Sequence, residues 1–138
     1  MWQHEYVGTT VAAPEQVWRV LRDLDHWADW DTSMESVRLD GEFRVGSRVV
    51  MNPVGQDPIT STIAEITDGV AYADVTEFGG VTLRFRHSLE PLESGGTRVR
   101  HRLEITGAAS DTLGPQLGPQ ITEDFPAAMA GLLALAEK

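Results

Sequence analysis

Residues 85–105 read FRHSLEPLESGGTRVRHRLEI, and the two histidines in this stretch, His87 and His101, flank a Gly-Gly pair. Period-two alternation puts Val81, Leu83, Phe85, His87 and Leu89 on one face of the first strand, and Val99, His101, Leu103 and Ile105 on one face of the second. Each imidazole thus replaces an apolar residue on an inward face. Four chemistries stay open for them: satisfied core residues, orientation of a polar ligand group, general acid–base catalysis, or metal binding. Two histidines without a clear third ligand make a poor zinc site, so no metal is expected. His87 and His101 are the catalytic candidates if there is catalysis.

Strand register decides whether the two rings meet. A three-residue loop, Glu93-Ser94-Gly95, pairs Leu92 with Gly96 and sets His87 opposite His101. A five-residue loop makes them diagonal neighbours. Either arrangement keeps the side chains within about 8 Å. A second polar stretch, VAYADVTE at 70–77, alternates Val70, Tyr72, Asp74 and Thr76 against Ala71, Ala73, Val75 and Glu77. The pattern alone does not say which set faces inward. An inward Asp74 needs a partner, and His87 on the neighbouring strand is the expected one.

The arginines of the hairpin, Arg84, Arg86, Arg98, Arg100 and Arg102, fall on the opposite face from the histidines. They read as a solvated outer face, opposed by Glu90 and Glu104.

The elements that position these residues follow from pattern. A β-rich segment covers 2–11, and Pro14 opens a helix whose apolar positions are Val17, Trp18 and Leu21. A second short helix covers about 26–30. Strands follow near 34–40, 46–52, 59–67, 70–77, 81–90 and 97–106, separated at Asp68-Gly69, Gly79-Gly80 and Gly95-Gly96. Six consecutive strands with short turns predict an antiparallel sheet. Leu113, Leu117, Ile121, Phe125, Met129, Leu132 and Ala136 form one helical stripe. Pro115 and Pro119 predict a broken first portion and a continuous one from about 119, with any kink just before Pro126. The long helix must cover the concave face of the sheet, and the space between them is a natural cavity.

The 138 residues fit one domain, 1–138, of ordinary globular composition. There is no cysteine, so neither a disulfide nor a thiolate nucleophile is available. A net charge of −10 argues against nucleic acid and anionic lipid as partners. No apolar run is long enough for membrane insertion and no signal peptide is visible, so the expected location is cytoplasmic. No phosphate loop, dinucleotide fingerprint or Ser-His-Asp order appears, and no cofactor is expected. Oligomeric state, monomer or homodimer, is open.

The element order and several motifs resemble the START-like helix-grip superfamily (SRPBCC), in its polyketide cyclase/dehydrase-like branch. The motifs are APEQVW at 13–18, DLDHWADWD at 23–31, GSRV at 46–49, FRHSLEPL at 85–92 and GGTRV at 95–99. The resemblance covers essentially the whole chain. It implies an α+β helix-grip fold: a curved seven-stranded antiparallel sheet wrapped around a long C-terminal helix, with two short helices between strands 1 and 2. It also favours Tyr72, Asp74 and Thr76 as cavity-facing. On the same basis Trp30, Met51, Ile63, Leu83, Phe85, His87 and His101 should line the cavity, with Ile121, Phe125 and Met129 closing it from the helix.

Three functions fit. One is binding of a small hydrophobic or aromatic molecule between sheet and helix. Another is an aromatase/cyclase or dehydratase acting on a polyketide-like substrate through a cavity histidine. The third is a protein-interaction module with a filled core.

Overall fold

The computed structural model describes residues 1–138. The chain runs β1 (Trp2–Thr10), α1 (Pro14–Leu21), a 3-10 helix (Leu24–Asp29), β2 (Met34–Asp40), β3 (Arg48–Pro53), β4 (Ile59–Thr67), β5 (Ala71–Phe78), β6 (Val81–Pro91), β7 (Thr97–Thr106), α2 (Ser110–Thr122) and α3 (Phe125–Ala136). All seven strands join one antiparallel sheet in the order β1-β7-β6-β5-β4-β3-β2. The short helices lie between β1 and β2, and the C-terminal helices cover one face of the sheet, as in the helix-grip fold.

Pro14 starts α1, where its missing N–H costs nothing, and Gln16 accepts from the Ala13 amide at 2.8 Å. The inner face of α1, Val17, Trp18 and Leu21, joins Leu24, Trp27, Trp30, Ile63, Tyr72, Met129 and Leu132 in the main core. The β6–β7 turn is the three-residue one: Leu92 and Gly96 are joined by a 2.9 Å backbone hydrogen bond, and His87 pairs directly with His101.

The C-terminal helix departs from expectation in part. The segment carrying Pro115 and Pro119 is continuous helix rather than broken, while the interruption at Glu123–Asp124 falls just before Pro126, as expected, and divides the segment into two helices. Pro126 explains the position of the break. It occupies the first turn of α3, where a proline needs no donor, and Asp124 ends the preceding turn and accepts from the Ala128 amide at 2.9 Å.

The stripe is also displaced on α2. Its buried positions are Ser110, Gly114, Gly118 and Thr122, whereas Leu113 and Leu117 are half-buried and Ile121 is exposed. The reason is Trp2, whose indole fills the notch left by the two glycines; a Cβ on Gly114 or Gly118 would collide with it. On α3 the buried set is Phe125, Ala128, Met129, Leu132 and Ala136.

The outer face of the sheet holds the arginines. Arg84 and Arg86 meet Glu65, Arg98 meets Glu90, Arg100 meets Glu5, and Arg102 meets Glu5 and Glu104. Glu5 and Glu65, on the flanking strands, add to the two acids expected from the hairpin itself. No helix is long and apolar enough to cross a membrane.

Candidate ligand cavity between sheet and helix

Three neighbouring strands set the polar wall. In register, Tyr72 stands opposite His87 and His87 opposite His101; two residues along, Asp74 stands opposite Phe85 and Phe85 opposite Leu103. All six side chains project to the helix side of the sheet. The rings form a continuous aromatic cluster: His87 stacks on Phe85 at 4.4 Å, meets His101 edge-on at 4.9 Å and touches Trp27 at 5.1 Å. Trp27 and Trp30 stack at 4.8 Å, and Phe125 from α3 reaches Phe85 at 5.0 Å.

A cavity of about 260 Å³ lies between this wall and the C-terminal helices. Of the residues expected to line it, Trp30, Met51, Asp74 and Leu83 do so, as do Phe85, His101, Ile121 and Phe125. Four others lie elsewhere. Tyr72 is fully buried beneath α1, donating its hydroxyl to the Leu21 carbonyl at 3.1 Å. His87 is enclosed behind Phe85 and Trp27, and Ile63 is packed in the main core. Met129 is held against Gly8 of β1, where a Cβ would come within 2.7 Å of Met129 Cγ. The inward face of the sheet is thus correctly drawn, but only one end of it opens on the cavity.

Asp31, unforeseen in the sequence, also lines the cavity. It accepts from Trp27 Nε1 at 2.9 Å and from the Ser33 amide and hydroxyl at 3.0 and 2.6 Å, which anchors the aromatic floor. Among the lining residues, Gln56, Phe78, Gln120 and Ile121 are solvent-exposed and frame the mouth. A separate open depression at Asp40–Arg48 is mostly polar and has no connection with these residues.

Burial favours the neutral forms of the titratable groups on this wall. Asp74 is pushed up to about 7 by desolvation, partly offset by Ser61 and by Arg84 on the outer face. The Ser61 hydroxyl nevertheless completes no hydrogen bond. His101 is pushed down to about 4 by burial, opposed in part by Asp31. His87 falls well below the usual histidine range, through burial and then the neighbouring His101. The expected Asp74–His87 pair does not form: Asp74 faces Phe85, and neither nitrogen of His87 has a hydrogen-bond partner. The register explains this, because Asp74 is one inward position beyond His87. Trp30 Nε1 and His101 Nε2 are also enclosed without partners. Nδ1 is the His101 nitrogen not enclosed in this way. No group of three or more His, Cys, Asp or Glu side chains is placed to hold a metal ion.

The profile of the family described as "Polyketide cyclase / dehydrase and lipid transport" matches residues 1–137. The chain belongs to this family. Its fold is shared with a START superfamily protein from Mycobacterium smegmatis, at a TM-score of 0.77 and 12% identity over 98% of this chain and 97% of that one. Norcoclaurine synthase from Thalictrum flavum superposes with a TM-score of 0.76 at 13% identity, covering 99% of this chain and 86% of that one. A protein from Thermus thermophilus gives 0.75 at 18% identity, covering 97% and 96%. At these identities the likeness is one of fold. A comparison with curated proteins gave no match. Family and fold together fit a START-like protein of the ligand-binding or cyclase type.

Proposed function

We propose that this protein binds a compact, mainly apolar molecule of one or two rings that carries a polar oxygen. The observation that supports this is the cavity, about 260 Å³ in volume, with Trp30, Leu83, Phe85 and Phe125 as apolar walls and His101 and Asp74 among the polar groups. A cavity of about 150 Å³ already admits benzene, and typical ligand pockets start near ~300 Å³. The size therefore favours a small aromatic over a long-chain lipid. A few polar groups on an apolar wall orient a ligand without holding it through charge. An interaction module with a filled core would need a solid interior, which the cavity argues against.

The test is calorimetric titration with a panel of one- and two-ring aromatic ketones and phenols. Leu83→Trp fills the cavity from β6 and is expected to weaken binding at least tenfold while the circular dichroism spectrum and melting profile are retained. Undiminished affinity in a folded Leu83→Trp protein, or no binding across the panel, would overturn the reading.

A further inference from the structure

Asp74 is a buried carboxyl without a partner. It lines the cavity, with Ile63 opposite it on one side and Phe85 on the other. It forms no ion pair, and the neighbouring Ser61 hydroxyl completes no hydrogen bond. Arg84, on the outer face, is taken up by Glu65 at 2.5 Å. A carboxyl left unpaired in an apolar setting is costly, and a cation entering beside it offsets that cost.

The rest of the lining admits a cation and offers little to an anion. It includes Asp31, Asp74 and Asp124 and contains no lysine or arginine. Its one histidine, His101, is kept neutral by burial. Asp31 is committed to Trp27 and Ser33, and Asp124 is exposed where α2 meets α3, which leaves Asp74 as the uncommitted buried acceptor. Phe85 stands opposite Asp74 in register, and Phe125 meets Phe85 at 5.0 Å; aromatic rings attract cations. The net charge of −10 draws cations toward the protein as a whole. Resting on the binding reading above and adding one charged contact to it, we propose that the ligand is a protonated amine, a compact one- or two-ring body whose ammonium group donates to the Asp74 carboxylate beside Phe85.

Protonation then becomes part of recognition. Asp74 alone is lifted to about 7 by burial, whereas a bound ammonium favours its carboxylate form. Amine binding below that pH therefore releases a proton, and amine affinity rises with pH through about 7. The groups that face Asp74 from the sheet are Tyr72 on its own strand, Arg84 and His87 on β6, and His101 on β7. Glu65 on β4 is held ionised by Arg86 and Arg84, and Asp31 and Asp124 stand on the helix side. Burial keeps Tyr72, His87 and His101 uncharged near neutrality, so among the groups that burial shifts Asp74 alone titrates there.

The probes are three tetralins that share one two-ring body: β-aminotetralin, the neutral β-tetralol, and the matching β-carboxylate. Calorimetry at about pH 8 should show the amine binding at least tenfold more tightly than the alcohol, with the carboxylate weakest. At about pH 6 the amine should lose about tenfold while the alcohol lacks this fall, and the heat of amine binding should vary with the ionisation enthalpy of the buffer. This profile tests the assignment on the wild type, without any substitution. Asp74→Asn should abolish the preference for the amine and its pH dependence, and keep β-tetralol affinity within a few-fold and the circular dichroism spectrum unchanged. Glu15→Gln, which makes the same change in net charge on exposed α1 outside the cavity, should retain both. Equal affinity for amine and alcohol, or an amine preference that survives Asp74→Asn in the folded protein, would overturn the cationic assignment and leave the binding reading intact. An amine that fails to bind while β-tetralol or the ketone and phenol panel binds would do the same. Failure of every compound would remove both.

Discussion

His87 is a buried imidazole with no hydrogen-bond partner on either ring nitrogen and no share in the cavity wall. A polar group enclosed in this way costs about 1–3 kcal/mol, which an apolar replacement of similar shape recovers. His87→Leu is therefore expected to raise unfolding free energy by about 1 kcal/mol in urea melts, with ligand affinity unchanged. A lower midpoint would mean that the ring is satisfied in solution. His87 also shows where sequence reading stops. Alternation correctly turned both histidines inward, and the Glu93-Ser94-Gly95 loop correctly set them opposite each other. Alternation gives a face, however, and says nothing of depth along it. Tyr72 and His87 occupy the end of the sheet capped by α1, while Asp74, Phe85 and Leu83 occupy the open end; Ile63 stands opposite Asp74 but packs into the main core. Asp31 was invisible for another reason: its place depends on the chain turning back after the 3-10 helix, which brings Trp27 Nε1 onto its carboxylate.

At the level of elements, the strands and short helices were readable because each has its own period and its own turn residues. The helical stripe was not, because α2 is positioned by a residue almost the whole chain away. Trp2 needs a notch, and Gly114 and Gly118 supply it, so small residues face the sheet where leucines were expected. Gly118→Ala sets two effects against each other. Alanine favours helix by about 1 kcal/mol, but overpacking a filled site costs about 1–3 kcal/mol. Since the new methyl would meet the Trp2 ring itself, a net loss of stability is expected. In a Trp2→Ala background the collision is absent and the same substitution should stabilise. A thermal-melt double-mutant cycle reads the sign change directly; the same sign in both backgrounds would contradict the assigned packing.

For the whole molecule, the buried groups predict how stability follows pH. Between about pH 5 and pH 6, unfolded histidines are protonated while folded His87 and His101 are not, so unfolding takes up two protons. Asp74 acts in the opposite sense: folded, it keeps a proton that the unfolded chain has released, so one proton is given up. Surface His26, raised by Asp23, is protonated in both states in this window. The net uptake of one proton makes stability rise with pH by about 1.4 kcal/mol per unit. His87→Leu should flatten this slope and Asp74→Asn should roughly double it, as urea melts at stepped pH would record. A wild-type slope of zero or of opposite sign would mean that the two histidines are not both held neutral.

The order of the sheet also bears on how the protein is made. β1 is the first strand to leave the ribosome, yet its sole strand partner is β7, the last to be synthesised. At translation rates of ~5–20 residues per second, the N-terminal strand waits on the order of ten seconds before it can pair. Through that interval its backbone hydrogen-bonding edge is open, and Trp2 has no α2 to receive it. Early folding therefore falls to the β2–β6 meander and its local hairpins, and the nascent chain is most exposed to chaperones just before β7 and the helices emerge.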